Sequence, residues 1–214
     1  MNHDPMPVQE VAHWANVFDR AAAISPEAGV ALYSLGNQAL LAQASAEIVD
    51  RMREWDLLHP NNVMLEIGCG IGRCVSVLAA STRYVLGIDI SSAMLKIAQQ
   101  RCATLTNTCF IRTSGNDLSA LGSCSADVIY AIDCFPYFLL TNQTLAPRHI
   151  QESFRVLRPG GNLLILNYSY RGNPELDRRD ISRMASTVGF RIIRNGTRDF
   201  SLWDGLAFLL LKAG

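Results

Sequence analysis

Gly68, Gly70 and Gly72 alternate with other residues in Val63-Met64-Leu65-Glu66-Ile67-Gly68-Cys69-Gly70-Ile71-Gly72, and Asp89 closes the next apolar run. Glycine has no Cβ, so a turn built on three of them lets backbone approach a ligand. If Arg73 to Ala80 is a helix, its first amides point back into that turn. A carboxylate at the Asp89 position can accept hydrogen bonds from both hydroxyls of a ribose. Its structural alternative is to cap the helix that follows. Together these residues describe a nucleotide site. A nicotinamide dehydrogenase uses the same parts, but Arg73 stands where the G-x-G-x-x-G pattern needs glycine or alanine.

Other residues with chemical potential lie further along. Ala131-Ile132-Asp133-Cys134-Phe135-Pro136-Tyr137-Phe138 follows an apolar run. Asp133 can orient a substrate or take its proton, and Tyr137 and Phe138 can hold a ring or face a cation. Core packing is the alternative for both aromatics. His149, on the following helix, reads first as an exposed helix residue and second as a base. Tyr168 and Tyr170 leave the next strand. Asn116 and Asp117 sit in Ser114-Gly115-Asn116-Asp117, where turn formation is the plain reading. Trp14, Phe18 and Tyr33 are candidates for closing over the site from the N-terminal side, against plain packing at helical spacing.

The elements that must position these groups follow from pattern. Residues 1 to about 60 read as helical: Val8, Val11, Ala15 and Phe18 share a face, Ser25-Pro26-Glu27 starts a second helix, and Leu41, Ala44, Ile48, Met52 and Trp55 mark a longer one from about Asn37. From Asn62 the pattern alternates. Strands are expected at 62–67, 84–89, 108–112, 127–133, 162–168, 190–197 and 205–212. Helices are expected at 72–80, 92–102, 147–157 and 177–187. A long aromatic loop follows Asp133, and Arg158-Pro159-Gly160-Gly161 is a turn. Alternation of this kind argues for a doubly wound, mostly parallel sheet covered on both faces. The short link between the last two strands makes them antiparallel.

Composition narrows the partners. The 214 residues carry 19 basic and 19 acidic side chains. With no basic run of five or more, nothing favours nucleic acid or an anionic membrane. The longest apolar run near the end is too short to span a bilayer. The first ten residues are polar and proline-bearing, unlike a signal peptide. The six cysteines form neither C-x-x-C nor zinc spacing, which suits a reducing cytoplasm. A homodimer stays open.

The chain resembles the class I S-adenosylmethionine-dependent methyltransferases, closely over about residues 60–170. Four pieces carry the likeness in order. Leu65 to Gly72 is similar to the family's acid-G-x-G-x-G motif. Gly87-Ile88-Asp89-Ile90-Ser91 with Met94-Leu95 is similar to its ribose-acid motif. Gly115-Asn116-Asp117-Leu118 is similar to the loop whose acid often holds the adenine amino group. Phe154 to Gly161 is similar to the turn before the fifth strand. The resemblance implies a seven-stranded Rossmann-like sheet with its last strand reversed. It divides the chain into a helical appendage or lid (1–60) and a cofactor-binding domain (61–214).

The resemblance further implies that Glu66, Gly68, Cys69, Gly70, Asp89, Ile90, Met94, Asn116, Asp117, Leu118 and Asp133 hold S-adenosylmethionine and its product S-adenosylhomocysteine, with Glu66 toward the methionine end. Asp133, Tyr33, Tyr137 and His149 are the catalytic candidates, Tyr33 because such families often place an N-terminal tyrosine there. The stretch after Asp133 is loosely similar to the Asp-Pro-Pro-Tyr motif of amino-group methyltransferases, but it has an extra residue and lacks the paired prolines. The expected function is methyl transfer to oxygen or nitrogen of a small molecule. The alternative is a silent cofactor-binding module that regulates a partner. Aminopropyl transfer, a third reading, wants a run of acids that is absent.

Overall fold

Short apolar runs between turn signals become the strands of one sheet. In the computed structural model, which describes residues 10–30, 37–203 and 205–214, these are β1 (Val63–Ile67), β2 (Tyr84–Asp89), β3 (Thr108–Arg112), β4 (Ala126–Ile132), β5 (Leu157–Leu166), β6 (Phe190–Thr197) and β7 (Ala207–Lys212). Their order across the sheet is β3-β2-β1-β4-β5-β7-β6. β1 pairs in parallel with both β2 and β4, and β7 pairs antiparallel with both β5 and β6. This is the doubly wound sheet with a reversed last strand that the sequence leads one to expect. The winding changes direction between β1 and β4, which opens a crevice at their carboxyl ends.

The helices are α1 (Val11–Ile24), α2 (Pro26–Val30), α3 (Gln38–Glu54), α4 (Arg73–Leu78), α5 (Ser92–Arg101), α6 (Phe135–Thr141), α7 (Leu145–Val156) and α8 (Pro174–Val188). Several start where the sequence signals a start. Asn37 accepts from Leu40 N, Ser91 from Met94 N and Asn173 from Leu176 N, each capping its helix.

Three expectations shift. The loop after Asp133 is the helix α6, with proline in its first turn and Phe135, Pro136 and Phe138 buried. Its unbroken apolar run hides helical periodicity, because one side faces the core and another a cavity. The turn at Arg158–Gly161 lies within β5, beside a register shift opposite Ala126 and Val128. His149 is buried at 1% exposure, because it falls on the apolar side of α7.

Strand alternation divides the core between the two faces. Leu65, Ile67, Ile129, Ala131, Leu163 and Ile165 pack on one side with α7 and α8 residues. Met64, Val128, Tyr130, Leu164 and Leu166 pack on the other, with Ile48, Val49 and Met52 of α3. No described helix is long and apolar enough to cross a membrane.

Candidate functional site

The three turn glycines all adopt left-handed backbone, with φ of 72° at Gly68, 51° at Gly70 and 69° at Gly72. Space demands glycine at the first: a Cβ on Gly68 would stand 2.6 Å from the Cys134 sulfur. The turn is fastened to β2. Gly68 N and Cys69 N both donate to Ile88 O, and Gly70 N donates to Asp89 Oδ2 at 2.8 Å. Asp89 Oδ1 accepts from Ser91 N at 2.8 Å. A carboxylate has about four acceptor positions, so each oxygen keeps capacity for a ligand. Burial raises the Asp89 carboxyl, while the amides of Ser91, Gly70 and Ile90 hold it down.

This turn forms one wall of a cavity of about 770 Å³, within the range of roughly 300–1,000 Å³ that accepts a small molecule. Gly68, Gly70, Asp89, Ile90, Asp133, Tyr137 and His149 all line it. Elements far apart in the sequence are thus brought together: the glycine turn, the ends of β2 and β4, α6 and α7. Trp14 and Phe18 of α1 close the opposite side, with Asn167, Tyr170 and Trp203 beyond Asp133.

The other candidates stand elsewhere. Glu66 is buried on the opposite face of β1, where Tyr130 donates to its Oε2 at 3.1 Å. It is not among the lining residues, because successive residues of a strand point to opposite faces and Ile67 takes the cavity side. Desolvation pushes its carboxyl up to about 8, against the pull of Arg73 and the Tyr130 hydroxyl. Cys69, Met94 and Leu118 are buried beside the cavity without lining it. Asn116 lies in an adjoining groove with Arg112 and Ser114. Asp117 Oδ1 accepts from Ser119 N and Ser119 Oγ, the turn-forming pattern. Tyr168 is buried near Arg171, and Tyr33 lies outside the described residues.

Beside the glycine turn, where β4 runs next to β1, Asp133 is held by both oxygens. Asn167 Nδ2 donates to Oδ1 at 2.8 Å and Trp203 Nε1 to Oδ2 at 3.0 Å. The Tyr137 ring meets Trp14, Phe18 and Tyr170 edge to face. His149 Nδ1 lies 2.9 Å from Leu145 O, which only accepts, so Nδ1 carries the proton and Nε2 the lone pair. Burial lowers the His149 pKa and keeps the ring neutral. Asp19, Asn167 and Trp203 were missed in the sequence. Asp19 Oδ1 accepts from Ser91 Oγ and Ala93 N, fastening α1 across the cavity to the start of α5.

Residues 65–165 match the family described as a methyltransferase domain. The demethylmenaquinone methyltransferase of Tropheryma whipplei (strain Twist) is 34% identical over 107 residues, covering 50% of this chain and 42% of that protein. The 2-methyl-6-phytyl-1,4-hydroquinone methyltransferase of Synechocystis sp. is 27% identical over 138 residues, covering 63% of this chain and 42% of that one. The chain therefore spans less than half the length of these relatives. In fold it is similar to magnesium protoporphyrin IX methyltransferase from Synechocystis PCC 6803 with bound S-adenosylmethionine. The TM-score is 0.70 at 18% identity, with 98% of this chain and 100% of that one covered.

Proposed function

We propose that the chain is a class I S-adenosylmethionine-dependent methyltransferase, a reading its match to a methyltransferase domain supports, and that it moves a methyl group to oxygen or nitrogen of a small-molecule acceptor. One observation carries the reading: the glycine turn, Asp89, Asp133 and Tyr137 line one cavity.

The residues present fit S-adenosylmethionine. A Cβ at Gly68 would stand 2.6 Å from Cys134 Sγ and one at Gly115 2.6 Å from Ile90 Cγ2, so glycine lets both turns pack against neighbouring walls while they line the cavity. Asp89 offers carboxylate acceptors suited to ribose hydroxyls. In this reading Gly68, Gly70, Asp89 and Ile90 bind the cofactor directly. Cys69, Met94 and Leu118 shape the wall from behind, and Asn116 and Asp117 stand at the adenine side. Bound there, S-adenosylmethionine would supply a methyl already activated on a sulfonium sulfur, open to in-line attack by an acceptor lone pair, with S-adenosylhomocysteine as the leaving product.

The protein's share is alignment and exclusion of water. Trp14, Phe18 and Tyr137 supply apolar walls. Asp133, fixed by Asn167 and Trp203, orients polar groups of the acceptor. His149 offers a neutral Nε2 that can take the proton of an acceptor hydroxyl.

Calorimetry with S-adenosylmethionine tests the cofactor, and transfer to a panel of phenols and amines tests turnover. Asp89→Ala is expected to weaken cofactor binding at least tenfold. Unchanged affinity removes Asp89 from the site, and absence of binding by the parent chain at millimolar cofactor sinks the reading. Binding without transfer to any acceptor favours the silent module.

A further inference from the structure

The residues of α1 that line the cavity form one apolar stripe. They are Val11, Trp14, Val17, Phe18, Ala21 and Ile24, the spacing of a single helical face. The outer side of α1 carries His13, Asn16 and Arg20 instead. Cover differs along the stripe. Trp14 and Phe18 are half-buried, and both rings rest edge to face on Tyr137, at 4.8 and 5.0 Å between centroids. That part of the wall is closed. Val17 is 38% exposed and Ile24 85% exposed, although both line the cavity. A residue that lines a cavity and also meets solvent stands at its mouth. Tyr170, on the loop after β5, lines the same cavity and is 55% exposed.

Single apolar side chains at a surface are ordinary. Val17 and Ile24 are not scattered, because with Ala21 they continue a cavity wall into water. Leaving them wet forgoes about 25 cal/mol for each Å² that an apolar ligand would cover. The shape of the patch decides what can cover it. Val17 and Ile24 are seven positions apart on α1, about 10 Å at the helical rise of roughly 1.5 Å per residue. The strip is one side chain wide. A protein partner needs about 800 Å² on each side, far more than this strip offers. An aliphatic chain matches it, being narrow and asking for no hydrogen bond, and the side chains of Val17, Ala21 and Ile24 offer none.

We propose that the acceptor is amphipathic, with its reacting group inside the cavity and an aliphatic chain that runs out along Val17, Ala21 and Ile24. The proposal rests on the methyltransferase reading for the identity of the site. Burial of the chain supplies binding energy remote from the reacting atoms, the kind that positions a substrate.

Calorimetry with 4-ethylphenol, 4-butylphenol and 4-hexylphenol tests it, each titrated into protein with saturating S-adenosylhomocysteine. A separate titration of S-adenosylhomocysteine alone judges the methyltransferase reading, so the two can fail independently. The expected result is a gain in affinity of at least about fivefold from ethyl to butyl and again from butyl to hexyl, as burial of two methylenes gives. Ile24→Glu puts a charge on the strip at a side chain too exposed to support the core. It is expected to bring the hexyl affinity to within about twofold of the butyl affinity. A ratio taken within one variant is insensitive to the fraction of protein that folds. Ile193→Glu alters an exposed apolar position on β6 that is not among the cavity's lining residues, and is expected to keep the parent ratio. Equal affinity for the ethyl and hexyl probes on the parent chain overturns the proposal. So does a parent-like ratio in Ile24→Glu, a ratio lost equally in Ile193→Glu, or failure of all three probes on protein that binds S-adenosylhomocysteine.

Discussion

Asp133 ends β4 with φ of 52°, and Asn167 ends β5 with φ of 68°. Left-handed backbone is unfavourable for most side chains and least so for Asp and Asn. Both residues keep the ladder going as they turn: Asp133 N donates to Leu166 O, and Asn167 N to Leu206 O. Their side chains then join above the strand ends, with Trp203 completing the set. Trp203→Phe deletes a donor to a carboxylate and leaves a gap in the core where the larger ring stood. It should lower stability by at least about 1.5–3 kcal/mol, the usual worth of a hydrogen bond to a charged group, with the cavity adding to the loss. Urea unfolding measures it, and a loss below about 0.5 kcal/mol would mean the bond contributes little. Asp133 was legible as the acid after an apolar run. Asn167 and Trp203 were not, because they reach Asp133 across 34 and 70 residues of chain, Asn167 from just after β5 and Trp203 from the link between β6 and β7.

Among the elements, α1 and α3 behave differently although both read as apolar stripes. α3 buries Leu41, Ala44, Ser45, Ile48, Val49 and Met52. α1 buries no residue, and its cavity side is half-covered at best. It is fastened instead by Asp19, which places a carboxylate on the first turn of α5, where the helix dipole favours negative charge. Asp19→Ala should cost about 1 kcal/mol, as losses of helix-capping acceptors do, and should loosen α1 before the sheet. Trp14 fluorescence is the readout, with emission shifted to the red while far-ultraviolet dichroism stays near that of the parent. The hydrogen bond from Ser91, then that from Ala93, lowers the Asp19 carboxyl below 3.8. The contact therefore stabilises above the unfolded value and is lost as pH falls through the lower folded one. An acid shift of Trp14 emission below about pH 3.9 should be present in the parent and missing in Asp19→Ala. The periodicity of Val11, Ala15 and Phe18 made α1 legible as a helix. Its fastening was invisible, since nothing local marks Asp19 as a partner of Ser91. The helix α6 escaped for another reason: Phe135–Thr141 has apolar residues all round, and pattern reading needs polar ones to set the period.

At the scale of the whole molecule, the sheet was legible because strands buried on both faces read as continuous apolar runs between turn signals. That double burial creates the one place where the glycine motif conflicts with the core. Glu66 must sit on β1 with Met64, in a layer of apolar side chains from α3, α4 and β4. Desolvation outweighs the favourable pull of Arg73 and Tyr130, and the carboxyl rises from 4.5 to about 8. The folded chain therefore keeps a proton that the unfolded chain releases above about pH 4.5. Its contribution to stability is full at and below that pH, falls as pH rises toward 8, and levels off above it. Glu66→Gln places a neutral group of nearly the same shape there and cannot titrate. Its stability should match the parent near pH 4.5 and exceed it above pH 8. At about 1.36 kcal/mol per pH unit, the difference across the window is on the order of 3–5 kcal/mol. His149 contributes an opposite slope, because its burial favours the neutral ring, but it is present in both chains and cancels in the difference. Urea unfolding of the two chains from pH 4.5 to 9 draws that difference curve. A flat curve would mean that Glu66 is ionised throughout, with Arg73 rather than desolvation setting its charge.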